Sequence, residues 1–197
     1  MSIRRRLATV AATLLMSVSG LAVASGPSLA AGDAATAATP PAVAAVPVGT
    51  YRIRNMHRPG DCLQADPRTA PAIGTAMAMV PCSDSIYQRW LFGSANPTFP
   101  SGFNEVRNAA GRCLDAHDRN GVVHRNIIHL YDCNKSPNQA WAFSQPPSHG
   151  VVCMWRAQLC DKVLDQQLEY TAGLGYRVHL MNTHGLANQD WSVEAVG

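Results

Sequence analysis

The sequence predicts an all-β domain built from three repeats of about 50 residues each. The first observation is a constant register. Cys62 to Gln88, Cys113 to Gln139 and Val163 to Gln189 each span 26 positions, and each glutamine is followed two residues later by a tryptophan, Trp90, Trp141 or Trp191. The second is a period-two alternation of apolar and polar residues in short runs such as Tyr51-Arg52-Ile53-Arg54 and Ile128-His129-Leu130-Tyr131, the pattern of a half-buried strand. The third is that no segment carries the three-and-four apolar spacing of an amphipathic helix of any length. One such unit is too short to bury a core, so three units with a tryptophan at the same phase must pool their apolar faces.

Taken in order, residues 1–30 read as a signal peptide. Arg4, Arg5 and Arg6 form a basic start, Leu7 to Ala24 carry no charge, and Ala22-Val23-Ala24 or Ser28-Leu29-Ala30 offers a small-residue cleavage site. Residues 31–47 are an Ala/Pro-rich linker or disordered tail, because Pro40, Pro41 and Pro47 prevent one continuous helix. The folded domain is placed at 48–197, with repeats at about 48–97, 98–147 and 148–197. In the first repeat the expected strands are Tyr51–Arg54, Cys62–Ala65, Met77–Val80 and Trp90–Phe92, with a turn at Pro59-Gly60. The second repeat has the same order from Asn104, and the stretch Gln145 to Gly150 separates off the third.

Composition narrows the function. The formal charge of +3 comes from 16 basic and 13 acidic residues, and removing the three leader arginines leaves 13 against 13. A near-neutral mature chain lacks the clustered basic surface that nucleic acid or an anionic membrane requires. Six cysteines, separated by 20 (Cys62, Cys82), 20 (Cys113, Cys133) and 7 (Cys153, Cys160), suit three neighbouring disulfides behind an export signal. Metal binding would favour Cys-x-x-Cys or Cys/His pairs, and there are none.

Leu-Asp after a cysteine, an alternating strand ending near a second cysteine, and Asn-Gln-x-Trp, complete in repeat two and partly kept in the other two in the same register, resemble the ricin B-type lectin family. The resemblance implies a β-trefoil that binds sugars. A neutral sugar presents hydroxyls that donate and accept, plus a patch of C–H groups; it calls for a carboxylate, an amide and an aromatic ring. In repeat two the resemblance assigns Asp115 as the carboxylate, Tyr131 as the stacking ring, Asn138 as the amide, His129 as a polar contact and Gln139 as a supporting residue. Alternation places Ile128 and Leu130 on the core side and both His129 and Tyr131 on the exposed side. Gln139 and Trp141 read as structural, since the same pair persists in repeat one where other site residues are missing. Repeat three keeps Asp165, His179, Asn188 and Gln189 as a second sugar site, but Met181 replaces the ring unless Tyr170 or Tyr176 swings in. Repeat one has Gln64, Ala78, Val80 and Tyr87 at the corresponding positions and reads as scaffold.

Catalysis has little to stand on. The three glutamates, Glu105, Glu169 and Glu194, lie in no paired-acid motif, there is no Gly-x-Ser-x-Gly, His-Glu-x-x-His or phosphate loop, and the disulfides leave no thiol nucleophile. The expectation is a secreted, monomeric, extracellular lectin module with a carbohydrate partner, needing neither cofactor nor metal. It would bind galactose-type or related sugars mainly through repeat two, without stable membrane insertion once the signal is cleaved. The competing reading is a protein-interaction trefoil, a toxin's delivery subunit or a secreted inhibitor, with vestigial sugar sites.

Overall fold

The computed structural model describes residues 46–93, 98–99, 101–116, 127–144, 150, 152–154 and 162–197. The expected signal peptide, nearly all of the linker and the Cys153–Cys160 bridge lie outside the described residues. Repeat one supplies β1 (Gly49–Asn55), β2 (Arg58–Ala65), β3 (Met77–Pro81) and β4 (Trp90–Phe92). Repeat two supplies β5 (Asn104–Asn108), β6 (Cys113–Ala116), β7 (Ile128–Tyr131) and β8 (Ala140–Phe143). Repeat three supplies β9 (Val152–Met154), β10 (Lys162–Thr171), β11 (Gly175–Asn182) and β12 (Trp191–Ala195). Among the described residues no helix is long and apolar enough to cross a membrane.

The first and fourth strands of every repeat form a closed ring. Strand β1 pairs with β12 and β4, β4 with β5, β5 with β8, and β8 with β9, all antiparallel. The reciprocal hydrogen bonds of Gly150 and Trp191 return the ring to β12. Closure removes the open edges that an antiparallel sheet would otherwise expose. The second and third strands form three hairpins, β2–β3, β6–β7 and β10–β11. These hairpins touch one another cyclically: Ala76 bridges His129, Ile127 bridges His179, and Arg177 and Tyr176 pair with Ala78 and Met79. The arrangement is a β-trefoil.

Its threefold logic shows in the tryptophans. Trp90, Trp141 and Trp191 are fully buried, and each indole Nε1 donates to the carbonyl of the leucine 27 residues earlier, Leu63, Leu114 and Leu164, at 2.9, 2.8 and 2.9 Å. Each ring thus adds apolar volume to the shared core, with Ile53, Phe92, Leu130 and Phe143 among its neighbours, while its one polar atom is satisfied. Disulfides join Cys62 to Cys82 and Cys113 to Cys133, each pinning the outer ends of a hairpin.

One expected turn is corrected. Pro59 and Gly60 lie within β2, and the chain reverses at Met56-His57 instead. The Asn55 side chain accepts from the His57 amide at 3.0 Å, which stabilises the reversal there. Proline is tolerated in the exposed first residues of β2, where Arg54 Nη1 donates to the Pro59 carbonyl.

Candidate functional site

In all three repeats a single 310 turn precedes the tryptophan: Ile86–Gln88, Pro137–Gln139 and Ala187–Gln189. The glutamine ending each turn is buried and spans three chain segments. Gln139 Nε2 donates to Asp115 Oδ2 and to the Asp132 carbonyl, both at 2.8 Å, while its Oε1 accepts from the Asn134 amide at 2.9 Å. Gln189 makes the same three contacts, to Asp165 Oδ2, the Asn182 carbonyl and the His184 amide. Gln88 does so with Gln64 Oε1, the Pro81 carbonyl and the Ser83 amide. The glutamines are therefore clamps that fix the acidic position of each hairpin against its own turn, consistent with the structural reading of Gln139 and Trp141.

In repeat two the clamp assembles four of the expected residues. Asp115 and His129 are directly opposite in the β6–β7 register, and Asn138 Nδ2 donates to both Asp115 oxygens at 2.8 Å. Ser136 Oγ hydrogen-bonds to Asn138 Oδ1 and so orients the amide. Tyr131 is 39% exposed, on the side of β7 that alternation gives it. His129 is corrected: it is 6% exposed, with Nε2 3.8 Å from Asp115 Oδ1 and its ring edge-on to Tyr131 at 6.0 Å between centroids. Alternation fixes the side of a strand on which a residue lies. It does not reveal that this side is covered where hairpins meet, and the Ala76 bridge lies against His129. Asp115 is likewise buried, at 3% exposure.

In repeat three the four expected residues also converge, with one more that sequence reasoning missed. Asp165 Oδ1 lies 2.9 Å from His179 Nε2, and Oδ2 lies 3.0 Å from His184 Nε2, 3.0 Å from Asn188 Nδ2 and 2.9 Å from Gln189 Nε2. Gln167 Nε2 points at His179 Nδ1, and the Leu186 amide donates to His184 Nδ1. Both imidazoles are thereby assigned as Nε2–H tautomers donating to the carboxylate. The signal for His184 was its place five residues before Gln189, where the repeat puts the amide that bonds the clamp. A cleft of about 440 Å³ opens over this cluster. Its apolar wall is Met181 with exposed Leu168 and Leu186. Tyr170 and Tyr176 do not swing in. They pack edge-to-face at 5.4 Å on the far side of the β10–β11 hairpin, against repeat one.

In repeat one Gln64 replaces the carboxylate, Ala78 and Val80 replace His129 and Tyr131, and the Gln88 clamp still forms. The clamp survives without a charge because an amide oxygen accepts as a carboxylate oxygen does.

Comparison with known proteins agrees with this architecture. The designed threefold-symmetric protein ThreeFoil superimposes with a TM-score of 0.62 at 17% identity, covering 75% of this chain and 99% of its own. The Rhizoctonia solani agglutinin gives 0.62 at 17% identity, covering 79% and 100%. An exo-beta-1,3-galactanase from Clostridium thermocellum gives 0.63 at 19% identity, but over only 30% of that longer chain, against 75% of this one. No curated protein matches the chain. Residues 49–191 match the family described as the Ricin-type beta-trefoil lectin domain, and with its three clamped Gln-x-Trp turns the chain belongs to that family.

Proposed function

We propose that the protein is a secreted carbohydrate-binding module without catalytic activity of its own, which takes galactose-type or related sugars mainly through repeat two. The observation that carries this reading is the Asp115–Asn138–Gln139 clasp beside the exposed ring of Tyr131. Buried amides hold the carboxylate, only 3% exposed, in one orientation, so a hydroxyl reaching its edge meets a fixed acceptor and the carboxylate loses little side-chain entropy on binding. Tyr131 supplies a face for sugar C–H groups. Repeat three is the second site, richer in hydrogen-bonding groups but walled by Met181 and Leu186 in place of a ring.

One site of carboxylate, amide and ring binds a monosaccharide in about the millimolar to micromolar range, roughly −4 to −8 kcal/mol. Screening the secreted chain on a glycan array, followed by calorimetric titration with free galactose, tests the reading. Binding that free sugar competes away supports it. A protein partner that binds unaffected by any sugar, with no glycan retained, replaces it with the protein-interaction trefoil. Mass spectrometry of secreted material should find a start near Ser25 or Ala31, and retention of Arg4 to Arg6 would count against export by a cleaved signal.

A further inference from the structure

A second cleft, of about 460 Å³, lies where repeat one meets the β10–β11 hairpin of repeat three. It is a product of assembly. Strand β11 pairs with β3 through Tyr176↔Met79 and Arg177↔Ala78, carrying Tyr170 and Tyr176 across to the hairpin of another repeat. The approach is close enough to require glycine: Gly175 has φ +103°, and a Cβ there would stand 2.5 Å from the Met79 carbonyl oxygen.

The polar wall of this cleft is unbalanced toward donors. Asp61 and Asp66 are buried, and each faces an arginine: Arg58 Nε donates to Asp61 at 2.6 Å, while Arg68 Nε and Nη2 donate to Asp66. Gln64 Oε1 is taken by the Gln88 clamp. Among the described residues, Arg58 Nη1 and Nη2, Arg68 Nη1 and Gln64 Nε2 have no protein acceptor. The carboxylates thus sit beneath the guanidiniums, and the surface a ligand meets is N–H. Arg58 stacks over the Tyr176 ring at 4.5 Å, which occupies that ring, and leaves Tyr170, 66% exposed, as the open aromatic face.

A neutral sugar hydroxyl needs donors and acceptors together, whereas a carboxylate or sulfate only accepts and matches guanidinium geometry. We propose that this cross-repeat cleft is a separate saccharide site selective for a sugar carrying an anionic group, a uronate or a sulfate ester, with Tyr170 under the ring and Arg58 and Arg68 on the charge. From the lectin reading it takes only that the ligand is a sugar, and it uses none of Asp115, Tyr131 or Asp165.

Calorimetric titration of the full mature chain with trigalacturonic acid, its methyl ester, a sulfated galactose trisaccharide and the neutral trisaccharide tests it. At least one anionic probe should bind tenfold or more tighter than its neutral counterpart, with affinity that falls as salt is raised. Which anionic probe responds distinguishes uronate from sulfate. Tyr170→Ala, an exposed truncation that leaves the core untouched, should weaken that binding about tenfold while the galactose titration is unchanged. Arg68→Gln should act the same way, and its melting curve reports any cost to the fold. Equal binding of the acid and its ester together with no preference for the sulfated probe, no binding of either anionic probe, or indifference to Tyr170→Ala overturns the proposal. Loss of galactose binding alone would instead strike the repeat-two reading and leave this one standing.

Discussion

Asp115→Ala should weaken the fold as well as the sugar site, contrary to what an exposed acceptor would suggest. The carboxylate is 3% exposed and receives Asn138 Nδ2 on both oxygens and Gln139 Nε2 on Oδ2, all at 2.8 Å. Hydrogen bonds to a charged group contribute about 1.5–3 kcal/mol each, and a buried donor left alone costs about 1–3 kcal/mol. Gln139 keeps the Asp132 carbonyl as an acceptor, so its loss is partial. Asn138 is buried, and its amide loses both acceptor oxygens. The sum is about 3–5 kcal/mol, or a fall in melting temperature of roughly 6–20 °C for a domain of this size. Asp115→Asn keeps one acceptor for Gln139, as Gln64 does for Gln88 in repeat one, and should cost less. Calorimetric melting of both variants measures this, and sugar titration must be run on the folded fraction. A loss below about 1 kcal/mol in the alanine variant would refute the view that Asn138 and Gln139 depend on this carboxylate.

The other expectations can be put together. Tyr131→Ala removes a half-exposed ring and no core volume, so it should weaken sugar binding by about 1 kcal/mol with the melting temperature nearly unchanged, as titration and melting would show. Asp165→Ala should affect galactose binding less than Tyr131→Ala does, and the reverse order in titration would make repeat three the main site. Hydrogen bonds from Arg68 hold the Asp66 carboxyl below its ordinary value. Its contribution is therefore present above the unfolded carboxylate range and is lost as pH falls through the lowered folded value. Acid unfolding of Arg68→Gln should accordingly show a smaller loss of stability in that window than the parent. Each disulfide closing a 20-residue separation should contribute about 3 kcal/mol by the loop-entropy estimate, so stepwise reduction followed by denaturant melts should show two such decrements for Cys62–Cys82 and Cys113–Cys133.

What the sequence determined by itself is whatever the repeat encodes within one unit. Alternation marks the strands, the 26-residue step from cysteine position to glutamine fixes which residues share a hairpin and its turn, and three tryptophans in one phase require a pooled core. Those relations are local, and the family resemblance that rests on them implied the grouping of Asp115 with Asn138 and Gln139, and of Asp165 with Asn188 and Gln189, before any fold was known. The Met56-His57 reversal escaped because Pro-Gly outweighed an Asn55 side chain whose hydrogen bond to the turn depends on geometry. What only the tertiary structure decided is what lies between units. The meeting of hairpins covers His129 through the Ala76 bridge and sends Tyr170 and Tyr176 to repeat one, while within repeat three the turn after β11 brings His184 onto Asp165. A period-two pattern states which side of a strand a residue occupies. Which side is covered, and by whom, depends on how three hairpins close on one another, and that information is carried by no single repeat.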